Sequence, residues 1–82
     1  MNCNNNNIVM KNKLYNILAK LNDIQSQVES MTYILKILEE AFETQNQMEP
    51  YYLAHMARRY NEGIEYTLLA ISEELDVNIL QM

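Results

Sequence analysis

The sequence predicts an all-α fold: an antiparallel, coiled-coil-like hairpin of two helices that dimerises into a four-helix bundle. Three observations carry this expectation. The 82 residues include one Gly and one Pro, too few turn-formers for the many chain reversals of a β fold. Apolar residues recur at alternating steps of four and three over most of the chain, the signature of a helix seam. One short segment, "TQNQMEP" at residues 44–50, breaks that pattern and holds the only Pro.

The elements follow in order. Residues 1–8, "MNCNNNNI", read as a flexible Asn-rich tail of low complexity. The hairpin occupies 9–82. Its first helix is expected over 9–45, on the run Met10, Leu14, Ile17, Leu21, Ile24, Val28, Met31, Leu35, Leu38 and Phe42. At 1.5 Å per residue such a helix is about 50 Å long, and its stripe needs a partner helix. Pro50 suits a first helical turn, where its missing N–H costs nothing. The second helix is therefore expected over 50–77, on Leu53, Ala57, Tyr60, Ile64, Leu68, Ile71 and Leu75. Gly63 lies inside this stripe and costs about 1 kcal/mol against Ala unless close packing requires it.

Folding the chain at 45–49 sets a register. Phe42 meets Leu53, Leu38 meets Ala57, Leu35 meets Tyr60, and Met31 meets Ile64. Val28 then meets Leu68, Ile24 meets Ile71, and Leu21 meets Leu75. Charge agrees with the antiparallel sense: Lys11, Lys13 and Lys20 fall near Glu73, Glu74 and Asp76, and Glu39, Glu40 and Glu43 near Arg58 and Arg59. Exposed pairs of this kind contribute a few tenths of a kcal/mol each, so they select orientation rather than supply stability. A bare hairpin leaves further apolar groups in water. Leu18, Ile34, Ile37 and Ala41 on the first helix, with Leu69 and Ala70 on the second, form a candidate dimer flank. The simplest cover is a second copy related by a two-fold axis.

Composition narrows the function. Eleven acids against six bases give a net charge of −5, which argues against an electrostatic grip on nucleic acid or anionic lipid. The single Cys cannot close an internal disulfide, as in proteins of a reducing compartment. The amino-terminal stretch lacks the continuous apolar core of a secretory signal, and no apolar run approaches the ~20 residues of a membrane span. A soluble, cytoplasmic protein with no membrane partner is expected. The abundance of Asn, Ile and Tyr has a bacterial or phage flavour.

The stretch "PYYLAHMARRYNEG", residues 50–63, concentrates the Pro, the Gly, the one His and both Arg residues. On a helix, Tyr52, His55, Arg59, Glu62 and Tyr66 share a face, with Met56 beside it as an adaptable contact. These six form a candidate partner-binding face; the competing reading is a solvated surface on which tyrosines lie over the apolar flank and Arg58 pairs with Glu62. No catalytic, cofactor-binding or metal-ligating set emerges. One His and one Cys fall short of a zinc site, and the Glu-x-x-His motif of di-metal bundles is absent. Nothing Gly-rich cradles phosphate. The expected function is thus a non-enzymatic protein–protein interaction module, a small acidic adaptor or inhibitor that associates with itself and with a protein partner. The alternative is an RNA- or DNA-associated regulator. In build the chain resembles the plasmid copy-control proteins that bind RNA as a helical-hairpin dimer. Lys11 and Tyr15 are the nearest counterpart in this chain of a basic or aromatic face, and no residue motif is shared.

Overall fold

A computed structural model describes residues 2–82. Helix α1 spans Asn2–Thr44 and helix α2 spans Met48–Leu80, with no strand among the described residues. Together they form a rod with extents of 68 × 15 × 13 Å. Where the sequence suggests a flexible tail over 1–8, the chain is helical from Asn2 onward. No Pro or Gly interrupts those residues, so the long helix continues through the poor helix formers. Met1, and the side chains of residues 2–6 with Cys3 among them, lie outside the described residues.

The turn is tighter than the expected 45–49 and has a local cause. Asn46 adopts a left-handed backbone, φ 57°, a conformation that Asn tolerates better than most residues. Its N–H donates to the carbonyl of Glu43 at 3.0 Å, and that of Gln47 donates to the carbonyl of Phe42 at 2.8 Å. This is a complete Schellman motif with Asn46 in the place usually held by Gly. Pro50 then sits in the first turn of α2, where no N–H is missed. The next amide, Tyr51, closes the first bond of that helix onto Gln47 at 3.1 Å.

The helices run antiparallel, since Glu39 meets Arg58 while Thr32 meets Glu65. Height along the rod agrees with the sequence register: the expected pairs Leu38–Ala57 and Met31–Ile64 lie one residue back on each helix. The face does not agree. On α1 the inward rows are Leu14, Leu21, Val28, Leu35 and Phe42, joined by Leu18, Gln25, Thr32 and Glu39. Only the first row belongs to the expected seam. Met10, Ile17, Ile24, Met31 and Leu38 are instead exposed. On α2 the inward rows are Ala54, Asn61, Leu68 and Leu75, with Tyr51, Arg58, Glu65, Ser72 and Ile79. Leu53 and Tyr60 are 64% and 76% exposed, and Ile71 and Ala57 also face out, so the pairings Phe42–Leu53 and Leu35–Tyr60 are not the hairpin seam. The physical reason is that the polar rows complement one another across the two helices.

Gly63 has no close neighbour. A Cβ built on it meets nothing within 4 Å, so no packing within the chain requires the glycine. Gly63→Ala is therefore expected to stabilise the protein by about 1 kcal/mol through helix propensity. In a domain of this size that raises the melting temperature by about 4–8 °C, which a thermal melt followed by circular dichroism measures.

Candidate functional site

The seam alternates apolar and polar levels. The two polar levels nearer the turn are satisfied by reciprocal partners, whereas the buried Ser72 hydroxyl further along α2 has no hydrogen-bond partner among the described residues. Nearest the turn, Glu39 is 7% exposed. Its carboxylate accepts from the Arg58 guanidinium through both oxygens, the Nη2 contact to Oε1 being 3.2 Å and the Nε contact to Oε2 closer. His55 Nδ1 stands 2.5 Å from Glu39 Oε1. A carboxylate only accepts, so Nδ1 carries the proton and the tautomer is fixed. Arg58 also reaches Glu62 one turn along its own helix. The Arg58 hydrogen bond outweighs desolvation and, with help from His55, holds the Glu39 carboxyl down at about 2. Glu39 in turn raises the already high pKa of Arg58.

Two helical turns further along lies a second level. Asn61 Nδ2 donates to the carbonyl of Val28 and to Thr32 Oγ1, both at 2.8 Å. Thr32 Oγ1 stands 2.8 Å from Glu65 Oε1. An amide nitrogen has two protons and a hydroxyl one, so the chain Asn61 to Thr32 to Glu65 uses each donor once. Fully satisfied networks of this kind fix register, because any axial slip leaves buried polar groups unpaired.

The two sides of the hairpin differ in character. On one side, open grooves are lined by Gln25, Glu29, Thr32, Glu62 and Glu65, and nearer the turn by Lys36, Glu39, Glu43 and Arg58. The larger groove encloses about 450 Å³ between acidic walls. Opposite it, the exposed rows Met10, Ile17, Ile24, Met31 and Leu38 of α1 flank Ala57, Ile64 and Ile71 of α2. In antiparallel helices the same sense of rotation away from the seam leads to the same face. The expected seam residues that turn away from the hairpin interior thus gather on a common apolar face. Ile34, Ala41, Leu53 and Tyr60 extend it toward the turn.

The candidate partner-binding residues divide between settings. His55 and Glu62 turn toward the seam and serve the Glu39–Arg58 network. Tyr52, Arg59 and Tyr66 form an exposed row on the outer side of α2, and Met56 is exposed on the apolar side of that row. Of the candidate dimer flank, Leu18 points into the seam, and Ile34, Ile37, Ala41, Leu69 and Ala70 are exposed. Leu69 belongs to the acidic groove. The polar levels are the feature that hydrophobic patterning passes over. Their signal is present nonetheless, as Gln25, Thr32 and Glu39 recur every seven residues and so do Arg58, Glu65 and Ser72.

Among the described residues no group of three or more His, Cys, Asp and Glu side chains is placed to hold a metal ion. No described helix is long and apolar enough to cross a membrane. Comparisons with protein-family models, curated proteins and solved structures return no match.

Proposed function

We propose that this chain is a non-enzymatic protein-interaction module that works as a dimer of hairpins, packed as a four-helix bundle. The observation that carries the reading is the apolar face. A row of Met10, Ile17, Ile24, Met31 and Leu38 beside Ala57, Ile64 and Ile71 is far longer than the scattered apolar residues of an ordinary surface. Area supports it. The chain exposes 6399 Å², against about 5,100 Å² for a compact monomer of this mass. The excess, about 1,300 Å², exceeds the ~800 Å² per partner that a standard interface covers. The acidic grooves and the Tyr52–Arg59–Tyr66 row then face outward, available to a protein partner. Arg58, one of the few cations, is committed inside the seam, which weakens the nucleic-acid alternative. Light scattering at micromolar concentration tests the reading: a mass near twice 9.7 kDa is expected, and a stably folded species at the single-chain mass overturns it.

A further inference from the structure

We propose that the second copy docks with its turn at the same end, so that α1 of each protomer lies along α2 of its partner around a two-fold axis parallel to the rod. This arrangement rests on the dimer reading above and specifies the packing within it.

The rows that meet across the interface follow from the heights of the helices, which the in-chain contacts Glu39–Arg58 and Thr32–Glu65 fix. A two-fold axis along the rod preserves height, so residues level within one chain are level between chains. Across the interface Leu38 then faces Ala57 of the partner subunit, Met31 faces Ile64 of the partner subunit, and Ile24 faces Ile71 of the partner subunit. All are apolar, and all are exposed or half-buried in the single hairpin.

The next row outward discriminates between arrangements. On α1 it reads Lys20, Gln27, Ile34, Ala41; on α2, at matching heights, it reads Glu74, Thr67, Tyr60, Leu53. Cation meets anion, amide meets hydroxyl, and the two apolar levels meet apolar partners. With turns at opposite ends, each helix instead lies antiparallel to its own copy. Ile34 then falls against Lys13, or Lys20 against Ala41 and Leu53 against Glu74, depending on the axial shift. Those shifts set a charge on an apolar side chain, the mismatch that rejects wrong partners. The shift that avoids it, centred on Ile34, carries Lys20 and Glu74 past the turn of the other copy and so leaves both without the partners that the first arrangement gives them.

The direction of the apolar rows agrees. The row Leu14–Phe42 faces the seam and the row Met10–Leu38 faces the open side, so their bisector points toward the axis of four helices rather than two. The 3.5-residue repeat read from sequence is then the core of the bundle, and the polar rows are its lateral contacts within each hairpin. Helix α1 outruns α2 by roughly a dozen residues, about 20 Å. In this arrangement both extensions leave the same end in parallel, each carrying Met10 and Leu14 toward the shared axis.

Cysteine cross-linking tests the arrangement. In a Cys3→Ser background, chains carrying Gln27→Cys and Thr67→Cys are mixed, re-equilibrated and oxidised. Using two singly substituted chains makes every disulfide an intermolecular one. The expected result is a mixed 27–67 disulfide at least tenfold in excess of either self-linked product, and the same for the Lys20→Cys and Glu74→Cys pair. Both pairs sit on exposed polar positions, so folding is retained and is checked by circular dichroism. Dominant self-linking of Gln27→Cys, or a dimeric mass with neither mixed product, overturns the arrangement while leaving the dimer reading intact. A monomeric mass overturns both.

Discussion

Arg58→Ala is expected to cost about 3–5 kcal/mol, enough to abolish most of the stability of a protein this small. The substitution strands the Glu39 carboxylate, which is 7% exposed and whose main partner is the guanidinium. The carboxylate keeps its desolvation penalty, loses the attraction that mainly offset it and retains only the hydrogen bond from His55. Replacing both partners, Glu39→Leu with Arg58→Met, removes the charges together and is expected to recover most of the loss. Chemical denaturation of the three variants measures the difference.

The same network makes stability depend on acid. Folding holds the Glu39 carboxyl at about 2 against an ordinary 4.5, so the native state binds its proton less readily than the unfolded chain. The stabilisation is fully present above pH 4.5 and is lost as pH falls from there toward 2. It amounts to about 3 kcal/mol at most, at 1.36 kcal/mol per unit. Glu39→Gln is expected to flatten this part of the stability–pH curve and to lower its plateau at neutral pH.

The second large effect concerns association. Ile24→Glu combined with Met31→Glu places two carboxylates per chain on the apolar face. In the isolated hairpin both positions are nearly half exposed, 44% and 48%, and substitutions at such sites change stability by about 0.5 kcal/mol. In the proposed bundle they face the core, where each unpaired charge costs several kcal/mol. Since 1.4 kcal/mol is tenfold in affinity, association is expected to weaken by more than about a thousandfold. Sedimentation at micromolar concentration then shows the single-chain mass. Met56→Glu with Tyr66→Glu, on the outer side of α2, is expected to leave the mass of the assembly unchanged.

These two expected effects concern the hairpin seam and the proposed dimer seam of each helix, and the rows that make them are legible in the sequence to different degrees. Helix existence, the break before Pro50, the antiparallel sense and the axial register are all readable from spacing and charge. Met31–Ile64 and Leu38–Ala57 lie at the right heights. Which face closes the hairpin is not readable from hydrophobicity. The row Leu14–Leu21–Val28–Leu35–Phe42 has an apolar neighbour on one side, through Met31, and a polar neighbour on the other, through Thr32. Burial arguments choose the first, yet the chain folds on the second. Thr32, Glu39, Arg58, Asn61 and Glu65 satisfy one another only across the hairpin, a complementarity that emerges when the rows of both helices are compared together. Asn46 is legible in principle, as a residue tolerant of left-handed geometry just past a helix end. The split of Tyr52, His55, Arg59, Glu62 and Tyr66 between outer row and seam follows from the same rotation and is visible only once the seam is known.

Methionine oxidation tests the central claim, that a second copy covers the apolar face. In one hairpin Met31 and Met56 are 48% and 66% exposed, so a bare hairpin offers both thioethers to peroxide at similar rates. In the proposed four-helix bundle, Met31 lies in the core and Met56 on the outside. Limited peroxide treatment of the native protein at micromolar concentration, read residue by residue by mass spectrometry, is therefore expected to oxidise Met56 at least tenfold faster than Met31. Ile24→Glu, which opens the bundle, should bring the two rates together. Equal oxidation of Met31 and Met56 in the unmodified, folded protein would contradict a covered apolar face.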